Sequence, residues 1–140
     1  MVEIICGEKG KGKTKVLLEK VNDSAKTANG SVVYLDKSQK HMYELTNKVR
    51  LINVSDYSIA NSDEFLGFIA GIISQDNDLE EMYLDSFLTI AGIENDEIFV
   101  KSLEKLDVLS ESYKVKFVLC VSKNIDMLPE CAQAKVIVAL

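Results

Sequence analysis

Residues 7–14 read "GEKGKGKT" and follow directly on the apolar run "VEIIC" of residues 2–6. The spacing from Gly7 to Thr14 is glycine, four residues, glycine, lysine, threonine. That pattern belongs to a loop that wraps phosphate between a strand and a helix. The glycines Gly7, Gly10 and Gly12 let the backbone take positive dihedrals, so that successive N–H groups converge as an anion nest. The helix that follows adds its positive end to the same spot. In such a loop Lys13 reaches the β- and γ-phosphates of a nucleotide, and the Thr14 hydroxyl completes the shell of a Mg2+ ion. Glu8, Lys9 and Lys11 fill the remaining positions of the predicted nucleotide-binding stretch. A lysine-rich surface turn meets the same spacing by chance. The apolar strand before the loop and the amphipathic segment after it are the context that separates the two readings.

Outward from the loop, short apolar runs alternate with longer amphipathic segments, the pattern of strands joined by helical crossovers. Strands are predicted at 2–6, 31–36 ("SVVYLD"), 50–56 ("RLINVSD"), 81–85 ("EMYLD"), 116–122 ("KFVLCVS") and 134–140 ("AKVIVAL"). Most are apolar almost throughout, as parallel strands covered on both faces are. A first helix is expected from the loop to about Asn29, with Leu17, Val21, Ala25 and Ala28 on one face and Gly30 as its stop. The spacing of Met42, Leu45 and Val49 predicts a second over about Ser38–Lys48. The third, "SDEFLGFIAGIISQ", has Asn61, Ser62 and Asp63 as cap candidates, and a fourth begins near Asn95 and aligns Phe99, Leu103 and Leu106. The last crossover, around Met127 to Gln133, is short and carries Pro129. The expectation is a three-layer, doubly wound α/β fold: a mainly parallel sheet of five or six strands with helices on both faces. Ligands bind such sheets beyond the carboxyl ends of the strands.

Composition bounds the possibilities. A chain of 140 residues, 47% of them hydrophobic and only one of them proline, fits a single packed domain over residues 1–140. The net charge of −6 argues against nucleic acid as a partner, because such partners are held by basic surfaces. The charge is unevenly spread, about +4 over residues 1–50 and about −10 over residues 51–140, so positive charge gathers around the glycine loop. Cys6, Cys120 and Cys131 show no metal-like spacing, and with no signal-peptide pattern a reducing, cytoplasmic setting is expected. The apolar stretch "FLGFIAGII" has nine residues, short of the ~20 of a membrane helix. Its Gly67 and Gly71 are read as close packing of a helix against the sheet.

The stretch "VEIICGEKGKGKTKVLLEKV" resembles the start of a P-loop nucleoside triphosphatase, and the strand–helix alternation is similar to that superfamily over nearly the whole chain. The resemblance implies a further acidic strand end whose carboxylate holds Mg2+ directly or through water. Three runs end in an acid: Asp36 after "VVYL", Asp56 after "INVS" and Asp85 after "EMYL". Asp85 is the first choice. Its strand comes fourth, as in the recombinase-like ATPases that insert a strand beside the loop strand. Asp36 is the fallback, since nucleotide kinases carry an acid there that meets substrate, and Asp56 reads best as a turn cap. The implied set is Lys13 and Asp85 as catalytic residues, Thr14 and Asp85 as metal ligands, and ATP with Mg2+ as the bound group.

Departures from the family pattern narrow the reading. Ser86 stands where many hydrolysing relatives place a water-polarising Glu, which leaves Glu80, Glu81 or a partner's residue to supply a base. The stretch "DSFL" lacks the glycine of a GTPase switch, and "SKNID" is one residue too long for a guanine reader, so adenine is favoured by elimination. Ser122 or Asn124, after the fifth strand, stands where related ATPases keep a sensor of the γ-phosphate. His41, the only histidine, reads as a partly exposed helix residue. The leading expectation is a small ATP–Mg binding protein, a slow or partner-activated ATPase, that works with a protein partner or as a homo-oligomer. It resembles compact bacterial proteins labelled twitching-motility or pilus-retraction ATPases, although the motors of that name carry an additional domain and acidic and histidine-rich boxes absent here. A small-molecule or nucleotide kinase, with Asp36 or Asp56 orienting the acceptor, is the second reading. It is weakened by the single arginine, Arg50. A nucleotide-dependent regulatory module without turnover is the third.

Overall fold

The computed structural model describes residues 1–140 and contains six strands. They are β1 (Val2–Cys6), β2 (Ser31–Asp36), β3 (Val49–Asn53), β4 (Leu79–Leu84), β5 (Lys116–Val121) and β6 (Val136–Ala139). Five helices connect them: α1 (Lys13–Thr27), α2 (Ser62–Ser74), α3 (Phe87–Ile90), α4 (Asp96–Tyr113) and α5 (Glu130–Gln133). The sheet order is β3-β2-β4-β5-β1-β6, and every neighbouring pair is parallel. The expected α/β architecture is therefore present, with six strands and no antiparallel member. No helix is long and apolar enough to cross a membrane.

Strand periodicity divides the core in two, because successive side chains point to opposite faces. Ile4, Val33, Leu35, Met82, Leu84, Phe117 and Leu119 face one way and pack with Phe65 and Ile69 of α2, Phe87 of α3 and Phe99, Leu103 and Leu106 of α4 in a cluster of 26 buried residues. Ile5, Val32, Tyr34, Tyr83, Val118 and Cys120 face the other way and meet only one long helix, α1, through Leu17, Leu18, Val21 and Ala25, in a cluster of 11. The four helices on the first face and the single one on the second make the structure three-layered but lopsided.

The helix starts follow their caps. The Asn61 side chain accepts the Glu64 amide at 2.9 Å, and that of Asn95 accepts the Ile98 amide at 2.9 Å, each satisfying a free N–H of the first turn. Other expectations need correction. Residues 38–48 form no α-helix, only a 3-10 turn at Met42–Glu44. Val49, counted as the end of that helix, is instead the first residue of β3, paired with Val32. Asn22 of α1 then fixes the segment outside helical geometry, donating to the Glu44 carbonyl at 2.8 Å and accepting the Thr46 amide at 3.0 Å.

β3 also stops early, at Asn53, because the Asn53 side chain accepts from the Ser55 hydroxyl at 2.7 Å and turns the chain into a 3-10 turn over Val54–Tyr57. The first helix ends at Thr27, before Asn29, and Gly30 does not supply its stop. Gly30 is required for a different reason: a Cβ there would lie 1.9 Å from the Asp78 carbonyl oxygen. Gly67 and Gly71 do not pack on the sheet; both are exposed, and a Cβ on either would meet nothing within 4 Å.

Candidate functional site

β1 delivers the loop at the carboxyl edge of the sheet. Gly10 (φ 82°) and Gly12 (φ 94°) take left-handed backbone there, a conformation that side chains with a Cβ resist. The amides of residues 10–15 make no backbone hydrogen bond, while the Val16 amide returns to the Gly12 carbonyl at 3.2 Å and starts α1. A concentrated set of free N–H groups at the end of a 15-residue helix is an anion cradle by its electrostatics. Lys13, 8% exposed, lies over it, with its ammonium donating to the Glu8 carbonyl at 3.0 Å. The carbonyl of Lys13 accepts from the Cys120 thiol of β5 at 3.6 Å, which ties the start of α1 to the sheet.

β4 brings Asp85 to the same edge, although 71 residues separate it from Thr14. Asp85 follows the last residue of β4 and, two positions after Tyr83, shares its side of the sheet, which is the α1 side. Its Oδ1 accepts from the Thr14 hydroxyl at 3.3 Å and from the Ser86 amide at 2.8 Å. Its Oδ2 accepts from the Tyr34 hydroxyl at 2.8 Å. Tyr34 is fully buried, and burial together with the Asp85 charge pushes its phenol well above the ordinary value. The tyrosine is therefore a permanent donor that fixes the carboxylate. Ser86 sits at φ 52°, a positive dihedral that a non-glycine residue rarely takes, so the chain bends away sharply right after Asp85.

The two acids Asp36 and Asp85 line one cavity of about 480 Å³ with Lys9, Gly10, Gly12, Lys13, Thr14, Lys37, Ser38, Lys40, His41, Ser86 and Ser122. None of these residues is hydrophobic, so the cavity suits the phosphate end of a ligand better than an apolar ring. Asp36 ends β2 on the same face as Tyr34 and is 3% exposed. Burial first, and then the neighbouring Asp85 charge, raise its carboxyl above the ordinary value, opposed by the Lys37 amide that donates to Oδ1 at 2.7 Å. The thiols of Cys6 and Cys120 are likewise pushed up by burial, which keeps them protonated and unreactive.

Of the residues singled out in the sequence, Lys9, Lys13, Thr14, Asp36, Asp85, Ser86 and Ser122 come together at this cavity. Lys11 is exposed and does not line it. Asn124 stands just behind the loop and donates to the Glu8 carboxylate at 2.7 Å. Glu80 and Glu81 lie toward the opposite end of β4, where Glu81 accepts from Tyr83 at 2.6 Å and Glu80 bonds the Gly30 amide, so neither is a base for this site. Asp56 is exposed within the 3-10 turn and accepts from the Asn53 side chain at 3.3 Å; the cap expected of Asp56 is instead Asn53, whose side chain accepts from the Ser55 amide. Arg50 is exposed on the edge strand β3 and is not among the cavity residues.

Tyr34, Lys37, Lys40 and His41 are site residues that sequence reading missed. Strand alternation held the signal for Tyr34, two positions before Asp36; Lys40 and His41 were concealed by the helix expected over residues 38–48, and Lys37 fell between that helix and β2. Neither a known protein family nor any curated protein gives a match to the chain.

Proposed function

We propose that the chain is a P-loop protein that binds a nucleoside triphosphate with Mg2+ at this edge and hydrolyses it slowly or when a partner activates it. One observation carries the reading: the Thr14 hydroxyl and the Asp85 carboxylate meet at 3.3 Å beside a loop of free amides and a buried lysine. The placement of β5 between β1 and β4 adds support, since the recombinase-like ATPases insert a strand at this point.

The donor chemistry fits a small hard cation. A threonine hydroxyl and a carboxylate are the oxygen ligands Mg2+ takes, with water and phosphate completing the shell. Thr14 and Asp85 would hold the ion, which when bound neutralises charge on the β- and γ-phosphates. The protein's own part is positional: the amides of the loop receive phosphate oxygens, Lys13 exchanges its bond to the Glu8 carbonyl for the phosphates, and Tyr34 and the Ser86 amide keep Asp85 oriented. ATP is favoured over GTP by the missing guanine-reading motifs. Ser86 lies where relatives keep a glutamate, so the proposal includes slow turnover.

Single-turnover release of inorganic phosphate from ATP tests it. The expected result is slow, Mg2+-dependent release that Lys13→Ala abolishes. Binding without any release favours a regulatory module. Absence of both binding and release refutes the proposal.

A specific observation keeps kinase activity as the second reading. Asp36, buried and with a raised pKa, faces the phosphate cavity from the strand next to that of Asp85, where it would orient an acceptor hydroxyl and take its proton. Lys37 and Lys40 line that side and would offset the scarcity of arginine. Transfer of the terminal phosphoryl group to one member of a nucleoside and metabolite panel, lost in Asp36→Asn, would favour the kinase over the ATPase.

A further inference from the structure

The cavity contains a constellation that a Mg–phosphate site does not require. Asp36, His41 and Asp85 come from the ends of two strands and from the irregular segment after β2, and each offers a ligand atom within 4.8 Å of the other two. Oxygen and imidazole ligands sit about 2.0–2.2 Å from a small divalent ion, so two on one ion are at most about 4.4 Å apart. Small side-chain rotations therefore suffice for the three to share an ion.

Charge gives an independent reason to expect an occupant. Asp36 and Asp85 are 3% and 4% exposed, and neither has a basic nitrogen of Lys, Arg or His within 4.0 Å. The carboxylate of Asp36 accepts one hydrogen bond, from the Lys37 amide to Oδ1, and Oδ2 takes none. The lysines that line the cavity, Lys9, Lys13, Lys37 and Lys40, stand beyond ion-pair distance, so the two buried carboxylates still favour a cation or a proton between them. Asp36 thus lines the cavity with one hydrogen bond and no ion pair, near the one imidazole of the chain.

The histidine is also prepared as a ligand. Its Nδ1 contacts the Glu44 carboxylate, which fixes the ring and leaves Nε2 for coordination. A carboxylate on the far nitrogen is the usual second partner of a metal-bound histidine and raises its basicity. Glu44 sits in the 3-10 turn that Asn22 anchors to α1, so the fold itself sets this orientation.

The geometry points to a divalent transition-metal site formed by Asp36, His41 and Asp85, which shares Asp85 with the Thr14–Asp85 pair and forms without bound nucleotide. Imidazole shifts preference away from Mg2+ toward ions of the manganese-to-zinc series. Three protein ligands leave coordination positions for water or for an anionic group in the cavity.

Mn2+ titrated into the intact chain without nucleotide, in a background of millimolar Mg2+, tests this by electron paramagnetic resonance. The expected result is one Mn2+ held per chain, with electron spin-echo modulation from an imidazole nitrogen. His41→Ala should remove that modulation and weaken Mn2+ binding at least tenfold. Asp36→Asn should weaken it comparably. Because His41 is the only histidine, no other side chain can supply the imidazole signal. Wild-type Mn2+ affinity in His41→Ala, or no imidazole modulation in the wild type, would each overturn the assignment. An ion bound without imidazole modulation would sit on the Thr14–Asp85 pair instead.

Discussion

The two faces of the sheet use the same strands for different ends. One face meets α2, α3, α4 and α5 in a nearly all-carbon cluster that includes Phe65, Phe87, Phe99 and Phe117. The other meets α1, and its buried side chains include two tyrosines, each bonded to a carboxylate: Tyr34 to Asp85 at 2.8 Å and Tyr83 to Glu81 at 2.6 Å. The first face holds the fold together by area removed from water. The second exchanges part of that area for polar groups that position the cavity. Side-chain alternation along β2 and β4 makes the division possible, since Leu35 and Leu84 turn to the apolar face while Tyr34, Asp36 and Asp85 turn to the other side.

Substitutions can break this contrast from either face. The largest effect is expected for Phe99→Ala, which empties a fully buried position between α4 and Phe87. Chemical denaturation should show a loss of about 3–5 kcal/mol. Tyr34→Phe should cost less, about 1.5–3 kcal/mol, by leaving a carboxylate oxygen of Asp85 without its buried donor. Unlike Phe99→Ala, it should also weaken Mg–ATP binding in the folded protein, measurable by calorimetry. If Tyr34→Phe lowers stability but leaves nucleotide affinity untouched, the polar face is structural and the contrast fails.

The smallest expected effect is confined to a pH window and concerns Asp36. Its carboxyl is raised above the ordinary value in the folded state, so the folded chain holds the proton more tightly than the unfolded one. The stability that this proton provides is fully present below the ordinary carboxylate range and is lost as pH rises through the raised value. In chelator, Asp36→Asn should therefore match the wild type in acid and be more stable at neutral pH. Unfolding curves at a series of pH values check this; a stability difference independent of pH would contradict it.

Legibility in the sequence followed the same division. The apolar strands, the loop and the caps at Asn61 and Asn95 were readable because each depends on local spacing or on one side chain and its neighbours. The pairing of Thr14 with Asp85 was readable because an acid at a strand end and a hydroxyl at a helix start both fall at the carboxyl edge of a parallel sheet. The segment over residues 38–48 was not. Met42, Leu45 and Val49 carry a helical spacing, but β3 claims Val49 and Asn22 claims the backbone around Glu44 and Thr46, both contacts made across the fold. His41 is partly exposed as expected, but without that helix it precedes the 3-10 turn and lines the cavity with Lys37 and Lys40.

The central claim is that the loop after β1 holds the phosphates of a nucleotide, and thermal unfolding with and without Mg–ATP tests it most directly. The account predicts a higher melting temperature with Mg–ATP, corresponding to about 2.7 kcal/mol at a hundredfold excess over Kd. Lys13→Ala, folded and close to the wild type in stability without ligand, should lose that shift. A wild-type melting temperature unmoved by millimolar ATP or GTP, or an equal shift in Lys13→Ala, would contradict it.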